Sequence, residues 1–165
     1  MRELYIDGEW VEAESDEGID VVSPVSGEVI DTVPDASEAD VAKAVAAADR
    51  AQQELQEMTA FERAAVLDEV TEYFEEHEDE IARGITEEEG KPLHESYDET
   101  DYVINSSDDY AHDGIRLFGD VVPSQYRDRF AYTQHEPYGP CAVISPWNFP
   151  LEVPGGSIYS AIATA

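Results

Sequence analysis

The chain has 165 residues, of which 39 are acidic and only 9 basic, for a formal net charge of −30. That length suits one ordinary domain burying roughly 70% of the surface its unfolded form exposes, and with 42% hydrophobic residues there is material for a core. The charge excludes partners that need basic patches, namely nucleic acid and anionic membrane surfaces.

The acidic residues are spread along the whole chain, and Lys43 and Lys91 are the only lysines. Such a distribution points to a general adaptation to a salty cytoplasm, where counterions screen self-repulsion, and not to a dedicated cation site. One cysteine, Cys141, leaves no internal disulfide and fits a reducing, cytoplasmic compartment. The opening residues contain no apolar signal core, and no apolar run is long enough to span a bilayer.

In chain order, "LYIDGEWVEAE" alternates apolar and polar residues around Asp7-Gly8, a hairpin signal. "IDVVSP" and "EVIDTVP" flank the turn-like Pro24-Val25-Ser26-Gly27, so residues 1–35 read as a small antiparallel lead-in. Ser37 and Asp40 have cap spacing, and Val41, Ala44, Val45, Ala48 and Leu55 recur at helical period. Thr59 and Glu62 repeat the cap before a second helix striped by Ala64, Leu67, Val70 and Phe74. A short third helix ends near Gly90, where Lys91-Pro92 bars its continuation. His94 to about Phe118 reads as a weaker helix with Val103, Tyr110 and Gly114 on one side.

After "GDVVPS" the pattern changes. "RFAYTQHEPYGP" alternates like a strand, and "CAVIS" is a short apolar run bounded by Gly139-Pro140 and Pro146, as expected of a buried parallel strand that begins at Cys141. A buried strand followed by another helix opens an α/β domain. The regular part of that last helix is expected after Pro154, with Gly155 and Gly156 serving close packing of helix on sheet. His77, His94, His112 and His135 show no metal-ligand spacing, and Glu87 to Glu89 read as a solvated helix end.

The sharpest motif is "VISPWNFPLE", residues 143–152. Pro146 suits a strand end, and Pro150 is tolerated in a first helical turn. Asn148 between them has two readings. It caps the helix, or it is a neutral donor aimed at a developing oxyanion, at the strand's carboxyl end where α/β folds bind ligands.

"PWNFP" within this stretch resembles the signature of the aldehyde dehydrogenase superfamily. "LYIDGEWVEAES", "VVSPVSGEVIDTVPDASEADVAKAVAAAD", "GKPLHES", "GDVVPS" and "HEPYGPCAVISPWNFP" follow in that family's order. The resemblance implies an α/β fold: the N-terminal part of a Rossmann-type NAD(P)-binding domain with a short antiparallel β lead-in. It implies NAD or NADP as cofactor, a small-molecule aldehyde as substrate, and a homo-oligomer in the full-length enzyme, with the strand near residues 130–136 in the oligomerisation element. Asn148 corresponds to the donor that holds the alkoxide formed when a cysteine thiolate attacks the aldehyde, and Ile144, Ser145, Pro146 and Trp147 to residues lining the cofactor site. Family members are much longer. Their nucleophilic cysteine, their water-activating glutamate and a later Gly-Ser turn have no counterpart among these residues, and Cys141 is no substitute. Residues 1–165 are therefore expected to form an incomplete cofactor-binding domain without its catalytic domain, inactive alone; the alternative is a non-catalytic remnant or a subunit-association module.

Overall fold

The computed structural model describes residues 2–165. Two short ladders come first. β1 (Leu4–Ile6) pairs antiparallel with β2 (Glu9–Val11), Tyr5 facing Trp10. Asp7 at φ 58° and Gly8 at φ 81° both take left-handed conformations, as an Asp-Gly hairpin turn requires. β3 (Gly18–Val22) pairs antiparallel with β4 (Val29–Pro34), with a register irregularity at Val21/Val22. The lead-in is as expected.

Both capping boxes form. Ser37 opens α1 (Glu38–Glu57) and Thr59 opens α2 (Ala60–Glu76), each hydroxyl accepting from the third helical N–H while Asp40 or Glu62 returns the bond. α3 (Glu78–Glu89) ends on Gly90, whose φ of 83° is the left-handed C-cap. α4 (Leu93–Asp113) follows Pro92 and runs into a short 3-10 turn, Gly114–Arg116. Far from being weak, α4 is the central helix, packed against α2, α3 and α5 (Glu152–Ala163). Leu67, Ala111, Tyr159 and Ala163 make the core where α2, α4 and α5 meet, with Phe74, Tyr110 and Ile162 against it. A polar seam threads it: the Thr71 hydroxyl lies 2.9 Å from the Ser107 hydroxyl and 3.0 Å from that of Tyr159. Gly114 is required here, because a Cβ would meet the Ala163 carbonyl oxygen at 2.1 Å.

Five expectations are corrected. Residues 141–145 form no strand, and Cys141 is exposed instead of opening a buried one. The described residues contain three two-stranded antiparallel ladders and no parallel sheet, so this apolar run has no neighbour to complete a hydrogen-bond ladder. The alternation over 130–136 yields only β6 (Ala131–Tyr132), paired with β5 (Val121–Val122). α5 starts at Glu152 and not after Pro154. Pro154 occupies the first turn, where its missing N–H costs nothing. Gly155 and Gly156 do serve close packing, but against Val103 and Tyr110 of α4, helix on helix. Along α1 the predicted stripe is largely uncovered: Val41 and Val45 are exposed, and only Ala47 of its apolar residues is buried. An apolar cleft of about 470 Å³, walled by Ala48, Ala51 and Leu55 of α1, Val143, and Ile158 and Ile162 of α5, lies open beside it.

Candidate functional site around Asn148

Gly90 and Pro92 set the site up. Gly90 turns the chain out of α3 against Pro24, and Pro92 begins α4, its carbonyl accepting from the Glu95 and Ser96 amides at 2.8 and 3.1 Å. Lys91, caught between them, is directed inward, its side chain only 8% exposed. Its ammonium donates to Glu99 Oε2 at 2.5 Å and to the Asn148 carbonyl at 2.9 Å. Glu89 Oε2 stands 3.4 Å away, and the Phe149 ring centroid 4.3 Å. Burial by itself would lower the Lys91 pKa, but Glu99 and Glu89 overcome it and hold the ammonium above its ordinary value.

Glu99, on the second turn of α4, is fully buried. Its Oε1 accepts from the Leu151 and Glu152 amides at 2.9 and 3.0 Å, the first free donors of α5. A carboxylate there also faces the positive end of the helix dipole. The remaining donors of that turn are settled locally. Val153 N–H reaches the Phe149 carbonyl at 3.4 Å, Pro154 has none, and Gly155 N–H reaches the Leu151 carbonyl at 2.9 Å.

These bonds remove the capping reading of Asn148. The N-cap residue of α5 is Leu151 and makes no side-chain cap; Glu99 caps the helix from 52 residues away in sequence. Asn148 does not cap. Among the described residues its side-chain amide makes no hydrogen bond, while its main-chain carbonyl is anchored. It is exposed, and so are Ile144, Pro146 and Trp147; Ser145 is half-buried. Trp147 borders a cleft of about 610 Å³ with Val21, Val22, Pro24, Ile81 and Ile85. Ile144, Ser145 and Pro146 lie along the extended segment leading to it. The structure thus places the five predicted residues consecutively on one open surface and encloses none of them.

The residues missed by sequence reasoning are Lys91, Glu99 and Glu89, the last of which is a mostly buried partner of Lys91 and not part of a solvated end. Also unforeseen, Asp68, Asp108 and His112 bring ligand-type atoms within 4.8 Å of one another on the α2–α4 surface. His112 Nδ1 lies 2.8 Å from the Asp108 carbonyl oxygen. The i,i+4 spacing of Asp108 and His112 was the available signal. Among the described residues the one hydrogen bond of the Cys141 Sγ is to the Gly139 carbonyl, at 3.4 Å.

Residues 10–165 match the model of the aldehyde dehydrogenase family. The chain belongs to that family. A glutarate-semialdehyde dehydrogenase of Pseudomonas putida is 38% identical over 149 residues, covering 90% of this chain and 31% of the relative. A succinate-semialdehyde dehydrogenase (NADP+) of Escherichia coli is 36% identical, with the same coverage of each. Among solved structures, a betaine aldehyde dehydrogenase of Staphylococcus aureus in complex with NAD+ superposes with a TM-score of 0.94 at 33% identity, over 99% of this chain and 33% of that one. The chain thus spans about a third of the length of the aldehyde dehydrogenases it matches. Their fold is also its fold, an α/β architecture matched across nearly the whole chain.

A helix N-terminus following an apolar run is a common pyrophosphate cradle, but that of α5 already holds the Glu99 carboxylate. A second anion there would meet like charge. The α5 terminus does not fit the phosphates. Among the described residues the main-chain groups of residues 141–146 make no hydrogen bond, and Trp147 borders a cleft, features that fit the uncharged parts of a dinucleotide.

Proposed function

We propose that this chain is the N-terminal, cofactor-binding part of an NAD(P)+-dependent aldehyde dehydrogenase, which oxidises a small aldehyde to a carboxylic acid. One observation carries the reading: the Asn148 amide is uncommitted, at the tip of a loop whose main chain is anchored, because Glu99 has taken over the capping that Asn148 would otherwise do. A neutral amide held in this way donates to an oxygen that gains negative charge, without adding charge of its own. The bound NAD or NADP supplies the hydride acceptor. Ile144, Ser145, Pro146 and Trp147 line its approach, and the Asn148 Nδ2–H stabilises the alkoxide that forms as a thiolate adds to the aldehyde carbon. The thiolate and the base that activates water belong to family segments with no counterpart in residues 1–165, so these residues do not turn over alone.

The relatives act on semialdehydes of glutarate and succinate and on other small aldehydes, and this substrate class is carried over to the whole protein. The whole protein is read as a cytoplasmic, salt-adapted homo-oligomer. The acidic surface supports the salt adaptation, and exposed Phe130 and Tyr132 on the β5–β6 ribbon support the association. The test is to express the complete reading frame that encodes this chain, in molar potassium chloride. Reduction of NAD+ or NADP+ would then be followed with glutarate, succinate and betaine aldehydes and with glyceraldehyde. Folded protein that reduces neither cofactor with any aldehyde would refute the reading.

A further inference from the structure

Lys91 and Glu99 are two charges taken out of water, and such a pair often gives no more stability than well-packed hydrocarbon of the same volume. Their contacts indicate another use. All the bonds they make beyond each other and Glu89 end on residues 148–152: Lys91 on the Asn148 carbonyl and Phe149 ring, Glu99 on the Leu151 and Glu152 amides. A carbonyl needs a donor and two amides need an acceptor, within five residues of chain. Apolar side chains would leave all three peptide groups without partners. Neither charge does this alone, since each holds the other in place through Oε2.

We infer that the Lys91–Glu99 pair is a positioning device for Asn148, clamping the main chain on both sides of it so that the side-chain amide points in one fixed direction. The inference rests on the dehydrogenase reading for what that amide does, though not for the clamp itself. Lys91 and Glu99 touch no reacting atom; they act through the loop. A displacement of about 1 Å at a reacting group costs on the order of a hundredfold in rate, so loosening this loop reduces turnover although nothing at the reacting centre is removed.

The test uses the double variant K91M/E99M, which removes both charges together and, unlike a glutamine at 99, leaves no acceptor for the Leu151 and Glu152 amides. A single replacement would strand the other charge in the core and risk unfolding. In the product of the complete reading frame, hydrogen exchange in the peptide over residues 147–153 should quicken about tenfold, while exchange over α2 stays within about twofold. Turnover should fall by about ten- to a hundredfold with the KM for NAD(P)+ nearly unchanged. A merely structural pair would instead quicken exchange in α2 and residues 147–153 alike, and that result overturns the inference. So does wild-type turnover matched by the double variant. A wild-type protein without turnover refutes the dehydrogenase reading, and exchange over 147–153 then decides the clamp by itself.

Discussion

Gly90→Ala tests the turn that delivers Lys91 to the site. Gly90 sits at φ 83°, where an alanine costs about 1–2 kcal/mol for its backbone alone. A Cβ built there would lie 2.6 Å from Pro24 Cγ, 3.5 Å from Pro24 Cβ and 3.7 Å from Val25 Cγ2. Pro24 is a ring on the β3–β4 turn and cannot swing aside as a long side chain would, so the turn must move, adding about 1–3 kcal/mol of overpacking. Together these predict a loss of about 2–5 kcal/mol, a large share of the roughly 5–15 kcal/mol that holds a domain folded. Gly27 is the built-in control. Its φ of 72° is as left-handed, yet nothing lies within 4 Å of its Cβ position, so Gly27→Ala should lose only the backbone part, about 1–2 kcal/mol. Urea unfolding followed by far-ultraviolet circular dichroism, in molar potassium chloride, gives both values if the slope is unchanged. Equal losses for the two variants would refute the argument, because they would show that Pro24 gives way freely.

Asn148→Ala in the complete protein should lower turnover by on the order of a hundredfold, the usual loss of one oxyanion donor, and leave the urea midpoint unmoved, since the side chain makes no hydrogen bond; steady-state kinetics beside unfolding curves checks both. Asp40 gives a pH prediction. Burial would raise its pKa, but the Glu14 amide, the Ser37 hydroxyl and amide and Lys43 hold it below the ordinary carboxyl value. A group depressed on folding contributes stability above its unfolded pKa, about 3.9, and loses it as pH falls through the folded value. Asp40→Asn should therefore flatten the decline of the urea midpoint below about pH 4. With a net charge of −30, the melting temperature should climb by several degrees between about 0.1 and 2 M potassium chloride, and a calorimetric scan showing no rise would contradict the salt adaptation. Exposed Cys141 should react with a thiol reagent in the native state, without denaturant; labelling that needs denaturant would restore the buried position expected from sequence.

What could be read from the sequence is what neighbouring residues decide. The Asp7-Gly8 hairpin, the Ser37/Asp40 and Thr59/Glu62 boxes and the Gly90 stop each involve partners within four residues, and all of them form. The misplaced elements depend on partners farther away. The start of α5 could not be read from residues 146–156, because its cap is Glu99. The apolar run at 141–145 has a strand's composition, but a strand exists only through its ladder, and no described residue supplies one. For the same reason α1 carries a helical stripe with little to cover it.

The site divides along the same line. "PWNFP" marked Asn148, but not what holds it. Glu99 is one of 39 acidic residues, so a carboxylate with a positioning task is hidden among solvated ones. Lys91 was the readable half. It is one of two lysines, and its neighbours fix its direction: the glycine ends one helix, and the proline begins the next. A lysine on a free helix face extends its ammonium into water. Held between those two turns, Lys91 reaches across the α3–α4 corner instead, and a cation so placed requires a buried anion nearby. That anion belongs among the acids one or two turns into α4, Glu95, Asp98 and Glu99, and burial picks out the last.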